Sequence, residues 1–334
     1  MSRQIDIVDT FGDRARWNAF VAAHASGHVF QTWEWGELQE GLDAQPQRVA
    51  ALVDDELAGV AQVLVFDTGT RRFAYVPRGP VADPDDPDVA EGLLDAALLV
   101  SLQQGADFVR IEPQWTHSDA RAERMEQRGY TRAKQFIMPR RTVLVDLSPT
   151  EPQIWDRFRS NTRNRIRLAE KLGVQVRVGG EADVEAFIRL AEDTAERQGM
   201  RRADARQYTR AWQFFGTTGA MRLYLAHADG QDLSGLMVFI CGAQATYLWG
   251  GSSSAPEARK LNPNQLLHWT AMRWARERGC TVYDLHGIPD HDVDVLEAEY
   301  HRQTGGMWNL YRFKRGFGGV VHRFLGTFDR VFRR

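Results

Sequence analysis

The sequence predicts an α/β protein built from two copies of one unit, each a mixed sheet flanked by helices. Three observations support this prediction. Residues 50–63 resemble residues 224–238, and both segments have the pattern of a strand, a polar turn and a second strand. In each copy a predicted helix ends at a glycine and leads into a further strand. The chain, at 334 residues with 43% hydrophobic content, is long enough for about two globular domains.

The elements of the first copy follow from hydrophobic periodicity and from the positions of glycine. Gly59 enters the second strand, and Gly105 and Gly129 end two predicted helices. In order, the predicted elements are two strands within 50–63, a strand near 73–81, a helix over 89–104, a strand over 108–113, a helix over 120–130 and a strand over 142–147.

The second copy repeats this order after a helix that is rich in arginine. Ser148 and Glu151 have the spacing of a capping box, so this helix is predicted to begin near Pro149 and to end at Gly173. The elements that follow are two strands within 224–238, a strand near 246–254, a helix over 263–278, a strand over 282–287 and a helix over 320–332.

The boundary between the two copies is predicted at residues 147–150. The first domain then covers residues 1–148 and the second covers residues 149–319, with a final helix over 320–334 packing back on the first domain. Because the two copies can pack on each other, the chain is predicted to be a monomer.

The cysteine and apolar content excludes several classes of protein. Cys241 and Cys280 are too few for a structural zinc site with four cysteine ligands, and we expect both thiols to be reduced. No stretch approaches the ~20 apolar residues of a membrane span, and the first residues lack the apolar block of a signal peptide. The acidic segments 83–88 and 289–295 match no metal-binding motif. The sequence therefore predicts a cytoplasmic protein without a metal.

The net charge of −2 conceals two halves of opposite sign. Residues 1–150 contain 15 basic and 23 acidic side chains, whereas residues 151–334 contain 27 and 21. Most of the positive excess lies in residues 157–171 and 312–334. Arginine pairs with phosphate oxygens through two parallel hydrogen bonds, so the second half favours a phosphate-bearing ligand. The alternative is that both segments are solvated helix surfaces.

The order of the predicted elements looks like the plan of the GNAT superfamily, so two tandem acetyltransferase-like domains are predicted. Members of that superfamily bind the pyrophosphate of coenzyme A with backbone amides of a glycine-rich loop at a helix N-terminus. The corresponding turns here, 77–87 and 250–263, contain prolines, which have no amide hydrogen to donate. This departure argues against acetyl-CoA as the donor, and a CoA-dependent N-acyltransferase is kept as an alternative function.

Seven segments carry a further family resemblance. They are FQTWEWGELQ (30–39), YVPRGPV (75–81), NTRNRIRLAEKLGV (161–174), YLWGGSS (247–253), LNPNQLLHWTAMRWA (261–275), DLHGI (284–288) and LYRFKRGFGG (310–319). Together they resemble the Fem family of non-ribosomal peptidyl aminoacyltransferases, which build the interpeptide bridges of peptidoglycan. Some members carry a long coiled-coil hairpin in the second domain, but LGVQVRV directly follows the basic helix here. The chain therefore resembles the shorter, FemX-like members.

The resemblance implies a transferase that moves an amino acid from aminoacyl-tRNA to an amine on the stem peptide of a peptidoglycan precursor. The acceptor would be lipid II or UDP-MurNAc-pentapeptide, and a lipid-linked acceptor implies peripheral contact with a membrane. Because the aminoacyl ester is already activated, the reaction needs neither a cofactor nor a covalent nucleophile. The alternative from another class is a protein that binds tRNA or a cell-wall precursor without catalysis.

The candidate catalytic residues are Lys314, Phe313 and Glu112. Lysine is scarce, at four residues against 38 arginines, so a lysine within a basic segment indicates a need for a compact ammonium. The RFK segment matches the family's catalytic motif, which implies that Lys314 stabilises developing negative charge and that Phe313 shapes the donor end of the site. Glu112 matches a family acid that could accept a proton. The alternatives are core packing for Phe313 and a buried salt bridge for Glu112, or for Asp284 in the second copy.

The resemblance also implies contacts with the acceptor. Residues 197–208 resemble the family segment in which an arginine and a tyrosine grip the nucleotide diphosphate or the sugar. This segment is one residue longer here, so Arg201, Arg202 and Tyr208 match only in approximate position.

Two further acceptor positions depart from the family pattern. Trp249 stands where FemX-like members have a second tyrosine, and it can stack but has no phenolic hydroxyl. Glu37 stands where the family can place a lysine that contacts phosphate. Because a carboxylate would repel phosphate, this departure argues against the soluble nucleotide acceptor and leaves the lipid-linked one.

Overall fold

The computed structural model describes residues 4–199 and 203–332, apart from the side chains of residues 257 and 259. The chain folds into two compact units. The first contains residues up to Arg140 together with those from Arg323 onward, and the second is Arg141–His322. Each unit is built on a seven-stranded mixed sheet, which confirms the predicted α/β class.

Strands and helices both occur along the whole of the described chain. The strands are β1 (Ile5–Val8), β2 (Ala44–Val53), β3 (Glu56–Asp67), β4 (Arg72–Arg78), β5 (Phe108–Pro113), β6 (Thr131–Arg132), β7 (Arg141–Asp146), β8 (Gln175–Val178), β9 (Met221–Ala228), β10 (Gln231–Cys241), β11 (Gln244–Ser252), β12 (Val282–Asp284), β13 (Val320–Arg323) and β14 (Phe328–Val331). The helices are α1 (Arg14–Ala23), α2 (Trp33–Glu40), α3 (Pro87–Gln103), α4 (Asp119–Gln127), α5 (Glu151–Arg157), α6 (Ser160–Lys171), α7 (Val184–Arg197), α8 (Ala205–Ala211), α9 (Pro256–Lys260), α10 (Pro263–Glu277), α11 (Val293–Glu299) and α12 (Gly306–Lys314).

The first sheet has the strand order β1-β2-β3-β4-β5-β14-β6. Strands β1 to β4 pair antiparallel in succession, whereas β4 and β5 run parallel. A parallel pair needs a crossover connection, and α3 supplies it. This helix begins at Pro87 because the Asp86 side chain caps the amide of Val89. Its apolar face, which includes Leu93 and Val100, is buried in the core of the first unit.

The second sheet has the order β13-β7-β12-β11-β10-β9-β8 and follows the same plan. Strands β8 to β11 pair antiparallel in succession, and β11 runs parallel to β12 after the crossover helix α10. The buried face of α10 includes Leu267, Ala271 and Trp274, which belong to the core of the second unit. The two units thus share one succession of elements, as the internal repeat of the sequence predicts.

The strand β7 lies outside the domain that the sequence predicts for it. The predicted last strand of the first copy, β7, pairs with β12 in the second sheet, where Val145 lies opposite Tyr283. The end of the chain returns to the first unit, where β14 pairs with β5 and Phe328 lies opposite Ile111. The units therefore divide at Arg140 and not at residues 147–150, because backbone pairing decides which sheet a strand joins.

The prediction of a helix over 320–332 is wrong. The segment forms β13 and β14, joined by a turn that contains Gly326 at φ +108°, far outside the helical region. Phe324 and Phe328 are four residues apart, which fits helical spacing, but Phe328 pairs with Ile111 of β5 and with Arg132 of β6 in the first sheet. Because buried backbone N–H and C=O groups must be paired, the extended form is favoured.

The predicted arginine-rich helix is divided into α5 and α6. The break lies at Phe158, whose backbone is extended at φ −66° and ψ 141°. The Phe158 side chain is buried and makes edge-to-face contacts with Trp269 and Phe317, with ring centroids 5.2 and 5.3 Å apart. A continuous helix would leave this aromatic cluster without its central ring, so packing outweighs local helix propensity here.

Candidate active site

The second sheet separates at one point, and a cleft lies beside the opening. β11 pairs with β12 only through residues 244–246, and from there to Ser252 it continues along β10. The register between β10 and β11 also shifts between Met237 and Val238, a bulge of the kind that bends a strand. Beyond the separation, residues of β11 line a cleft within the second unit.

The cleft has a volume of about 320 Å³ and is lined by α7, β10, β11, α10 and α12. The side chains that bear on its chemistry are Thr194, Arg197, Tyr247, His268, Phe313 and Lys314. The cleft therefore brings together the two residues of the RFK segment that the sequence predicts to be catalytic.

Lys314 is the last residue of α12, and only 3% of it is exposed. Its Nζ donates hydrogen bonds to the backbone carbonyl oxygens of His286 at 2.9 Å and of Gly287 at 2.7 Å. An ammonium has three N–H groups, so these two bonds within the described structure leave one N–H for a group bound in the cleft.

The carbonyls that hold Lys314 converge because the chain turns sharply after β12. His286 adopts φ +59°, a left-handed conformation that is uncommon for a residue with a side chain. Its amide donates to the buried Asp284 carboxylate at 2.7 Å, and the Thr142 hydroxyl donates to the same oxygen. Asp284 thus fixes the turn that positions the ammonium, and such strain is typical of functional sites.

The helix that carries Lys314 is held from its other side by Glu297. This carboxylate accepts from the Tyr311 hydroxyl at 2.6 Å and from Nε of Arg315 at 2.9 Å. The Arg315 hydrogen bond lowers the pKa of Glu297. Arg312 donates to the carbonyls of Tyr300 and Gln303. Both arginines beside Lys314 therefore bind acceptors within the protein, although Arg312 is also exposed to solvent.

Burial changes the acid–base behaviour of Lys314. Removing the ammonium from water lowers the pKa of Lys314 from 10.5 to about 7, and the negative charge of Asp284 offsets only part of this effect. An anion in the cleft would raise that pKa again. The site thus contains a cation that is weakly solvated and that gains stability from negative charge.

Aromatic rings form the wall of the cleft beside Lys314. His268 is buried on α10, and its Nδ1 lies 3.2 Å from the Tyr283 hydroxyl. Its ring makes contacts with Tyr247 and Phe313 at centroid distances of 4.6 and 5.3 Å. Burial, together with the positive charge of Lys314, lowers the pKa of His268 to about 3. The imidazole is therefore neutral, and the wall around the ammonium is dry and uncharged.

Phe313 separates the cleft from an adjoining chamber. The chamber has a volume of about 200 Å³, and Ser252, Asn264 and Phe313 line both spaces. The Phe313 ring also packs against Phe317 at 5.3 Å. Shaping the site and packing in the core are thus both properties of this residue. Arg165 of α6 lines the chamber as well, so a basic helix leads to the space next to Lys314.

Glu112 lies in the first unit, at the end of β5, and is buried. Its carboxylate accepts hydrogen bonds from the amides of Ile137 and Met138 at 2.8 and 2.9 Å. The Thr327 hydroxyl donates to it at 2.8 Å, and so does the hydroxyl of Tyr75. The alternative role of Glu112 is a buried salt bridge, but the nearby Arg110 guanidinium pairs with Asp329 instead. Four hydrogen bonds give Glu112 the environment of a structural carboxylate.

The residues predicted to contact the acceptor do not line the cleft that contains Lys314, as far as the structure describes them. Tyr208 and Trp249 meet edge to face in the second unit, with ring centroids 5.3 Å apart. Tyr208 is buried, and burial raises its pKa. Neither residue is among those that line the described cleft. Arg201 and Arg202 lie outside the described residues.

Glu37 lies on α2 of the first unit. Its carboxylate pairs with Arg14 at 3.2 Å, and the same guanidinium contacts Glu34 at 2.8 Å. A neighbouring cation therefore offsets part of the repulsion that the sequence predicts between this position and phosphate.

Sequence reasoning missed Arg197, Thr194 and His268. Arg197 lines the cleft and donates to the Ser252 hydroxyl at 2.8 Å and to the Ser252 carbonyl at 3.1 Å. Thr194 accepts from the Ser252 amide at 2.8 Å. Arg197 opens the segment 197–208 that the family resemblance singles out, and His268 lies within 261–275. The signal was therefore present, but only the tertiary structure shows which residues of each segment face the cleft.

Comparison with known proteins agrees with this architecture. Residues 156–302 match the model of an acetyltransferase (GNAT) domain family. Over 94% of this chain, the sequence is 25% identical to a lipid II:glycine glycyltransferase of Staphylococcus saprophyticus, 90% of which is covered. A protein of the same name from Staphylococcus aureus is 24% identical over the same shares. The sequence is thus similar to those of lipid II:glycine glycyltransferases over nearly its whole length. The resemblance to the Fem family and the expectation of an acyltransferase enzyme are thereby confirmed.

Solved structures support the same fold. The crystal structure of FemX superposes with a TM-score of 0.84 and 22% identity, covering 98% of this chain and 97% of that one. A tandem GNAT protein from the clavulanic acid biosynthesis pathway superposes with a TM-score of 0.59 at 12% identity, covering 98% of each chain. The prediction of two tandem acetyltransferase-like domains is therefore confirmed.

Membrane-spanning helices and clusters of metal ligands are both absent from the described residues. No helix there has the length and apolar content needed to cross a membrane. No group of three or more histidine, cysteine, aspartate or glutamate side chains is arranged to hold a metal ion in that part of the chain.

Proposed function

We propose that this protein transfers an aminoacyl group from an aminoacyl-tRNA to an amine on the stem peptide of lipid II, to form an interpeptide bridge of peptidoglycan. The similarity to lipid II:glycine glycyltransferases over nearly the whole chain supports lipid II as the acceptor. The observation that carries the proposed mechanism is the buried ammonium of Lys314 at the wall of the cleft.

The proposed reaction needs a cation beside the carbonyl oxygen of the aminoacyl ester. The neutral acceptor amine attacks the carbonyl carbon of the ester, so a C–N bond forms and negative charge develops on the carbonyl oxygen. The C–O bond to the tRNA then breaks, the amine loses a proton, and the tRNA hydroxyl gains one. Lys314 has one N–H directed neither to His286 nor to Gly287, and in a dry cleft it would stabilise this oxyanion strongly.

The donor half of the proposal is supported by α6. Arg165, Arg167 and Lys171 are exposed on this helix, and Arg165 also lines the chamber that adjoins the Lys314 cleft. A row of cations that ends at a chamber fits the phosphates and the terminal nucleotide of a nucleic acid. Phe313, which borders both spaces, would then lie where the ester passes from the chamber to the cleft.

The acetyltransferase family match favours a second candidate, a CoA-dependent N-acyltransferase. That activity would use the N-terminus of α10, where backbone amides of a GNAT domain bind pyrophosphate. Here α10 begins with Pro263, which removes one amide donor from the first turn. Thermal stabilisation by acetyl-CoA, absent with tRNA, would favour this candidate.

The test is a transfer assay with mixed charged tRNAs and two acceptors, lipid II and UDP-MurNAc-pentapeptide, followed by mass spectrometry. Lys314→Ala is expected to reduce transfer by about 10²- to 10³-fold, the loss typical of removing one oxyanion partner. Lys260→Ala, which changes an exposed lysine, is the matched control and should retain full activity. Full transfer by Lys314→Ala would remove Lys314 from the mechanism. Tight binding of tRNA without any product would favour the non-catalytic binding protein.

A further inference from the structure

The connection between β6 and β7 exposes two adjacent large apolar side chains. Phe136 is 44% exposed and Ile137 is 48% exposed. Among the described residues they are the sole pair of large exposed apolar residues that are consecutive in sequence, and Phe136 is the sole aromatic residue in that exposed set. Water disfavours such a pair at a loop tip, so it indicates a surface that another apolar phase covers.

The backbone of this loop is fixed from inside the first unit. The amides of Ile137 and Met138 donate to the two oxygens of the buried Glu112 carboxylate at 2.8 and 2.9 Å. Thr327 and Tyr75 also donate to Glu112, so the carboxylate is itself held in place. The apolar side chains are thus presented outward by an ordered backbone, which reduces the entropy lost when they are buried by a partner.

The charge around the loop narrows the choice of partner. Residues 131–140 contain Arg132, Lys134 and Arg140 and no acidic residue, although residues 1–150 as a whole carry eight more acidic than basic side chains. Lys134 is exposed, whereas Arg132 pairs with Glu126 at 2.6 Å. The Arg140 guanidinium donates to the carbonyl of Ala133 and lies 5.3 Å from the centre of the Phe136 ring. An apolar tip with cations beside it is the composition that binds the interface of an anionic bilayer.

The other pairs of exposed apolar residues differ from the loop in the charges that lie near them. Leu99 and Leu102 on α3 have no basic residue between Pro87 and Gln103, the bounds of that helix. Val293 and Val295 lie in a segment with aspartate at residues 290, 292 and 294, which an anionic surface would repel. Leu168 and Leu172 lie on or next to the basic helix α6, so they form the strongest competing surface for an anionic bilayer.

We propose that the loop of residues 133–140 docks on the surface of a bilayer that contains anionic phospholipid, with Phe136 and Ile137 entering the interface and the exposed Lys134 facing lipid phosphates. This inference goes beyond the transfer reaction, and vesicle binding by the loop does not require that the reaction be assigned correctly.

The experiment measures sedimentation of the full-length protein with vesicles of equimolar phosphatidylglycerol and phosphatidylcholine, and with vesicles of phosphatidylcholine alone. The wild type should bind the anionic vesicles more strongly, and added salt should weaken that binding. The double variant Phe136→Ser/Ile137→Ser should bind the anionic vesicles at least about tenfold more weakly than the wild type. The matched control Leu99→Ser/Leu102→Ser, which removes two apolar side chains of similar exposure, should bind like the wild type.

Three results would overturn the proposal. The wild type could fail to bind anionic vesicles; the control pair could lose as much binding as the loop pair; or Leu168→Ser/Leu172→Ser could abolish binding while the loop variant retains it. If the loop captured a protein partner and the protein did not bind vesicles, the proposal would likewise be overturned. Thermal unfolding of each variant checks that it is folded. Transfer measured with a detergent-dispersed acceptor separates failure of this proposal from failure of the proposed function, because the loop variant should keep that activity.

Discussion

At the scale of single residues, the position of Lys314 is unfavourable for stability, and the proposed reaction gives a reason for it. Its ammonium is buried with two carbonyl partners, and neutral His268 lies on the same cleft wall. A lone buried charge is costly unless it is fully paired, and the partly compensated state of Lys314 is what lets an anion in the cleft gain from it. The residue is better explained by chemistry than by folding.

The first prediction concerns the pH dependence that this burial creates. The lysine keeps its proton up to about pH 10.5 in the unfolded chain but only to about pH 7 in the folded protein. Between these values the unfolded state binds more protons, so this group makes the folded state more stable as pH rises. Lys314→Met has no proton to lose, so its free energy of unfolding should rise relative to wild type as pH falls from 10 to 7.

Denaturant unfolding of both proteins across this range measures the difference directly, because other titrating groups cancel. Lys260→Met, which changes an exposed lysine, is the matched control. A constant difference between wild type and Lys314→Met at every pH would show that Lys314 titrates like a solvated lysine.

The second prediction separates structure from catalysis at Glu112. Glu112→Gln replaces an oxygen with an NH2 group that faces donors, namely the amides of Ile137 or Met138 or the Thr327 hydroxyl. We expect the free energy of unfolding to fall by about 2–3 kcal/mol, because hydrogen bonds to a charged acceptor are lost. The kcat of the folded fraction should stay within about twofold of wild type. A large loss of kcat with unchanged stability would instead restore Glu112 as the proton acceptor that the sequence resemblance implies.

At the scale of elements, the two basic segments of the sequence have different roles. Arg312 and Arg315 on or beside α12 are bound to carbonyls and to Glu297, where they orient the helix that carries Lys314. Arg165 and Arg167 on α6 are exposed, and the proposed function assigns them to the donor. The sequence pattern alone could not separate these cases, because it does not show which acceptors the fold brings to each guanidinium.

The third prediction tests α6 as the surface for the donor. Arg165→Glu should weaken tRNA binding, and the slope of log affinity against log salt should become shallower by about one for each phosphate that the protein no longer neutralises. Filter binding or fluorescence titration at several salt concentrations provides this slope. Arg71→Glu, at an exposed position of the first unit, is the control for net charge and should leave the slope unchanged. Equal effects of both variants would show that only overall charge matters.

At the scale of the whole molecule, the two units share one order of elements but differ at the parallel pair of strands. This pair stays together in the first sheet and separates in the second. β4 and β5 stay paired as far as Arg78 and Pro113, whereas β11 leaves β12 after residue 246. At the end of β4 the buried Arg78 guanidinium lies 4.0 Å from the centre of the Phe324 ring and donates to the carbonyl of Pro139. The first unit thus fills this position with its own side chains, and the cleft that contains Lys314 belongs to the second unit.

The fourth prediction follows from the placement of β14. Although it lies close to the end of the chain, β14 lies between β5 and β6, and Phe328 is 1% exposed. Phe328→Ala should lower the free energy of unfolding by about 3–5 kcal/mol, the usual range for a buried phenylalanine. On the same strand, Val331 is 56% exposed, and Val331→Ala should change stability by no more than about 0.5 kcal/mol. Equal small effects in chemical unfolding would contradict the pairing of β14.

Local patterns in the sequence were enough to predict the α/β class, the repeat of one plan and the segments that carry the site. Periodicity, glycine stops and short motifs reflect each residue's own backbone preference and the pattern of burial along its element. The same spacing led to the wrong prediction of a helix for the final segment, since Phe324 and Phe328 fit a helix as well as two strands around Gly326.

Long-range contacts settled which strand completes which sheet and which arginines are engaged internally. They also bring Lys314 and Phe313 to one cleft, while Glu112 anchors a loop in the first unit. Such contacts are set by the pairing of free backbone groups and by the exclusion of water, and neither leaves a mark on the local pattern of the chain.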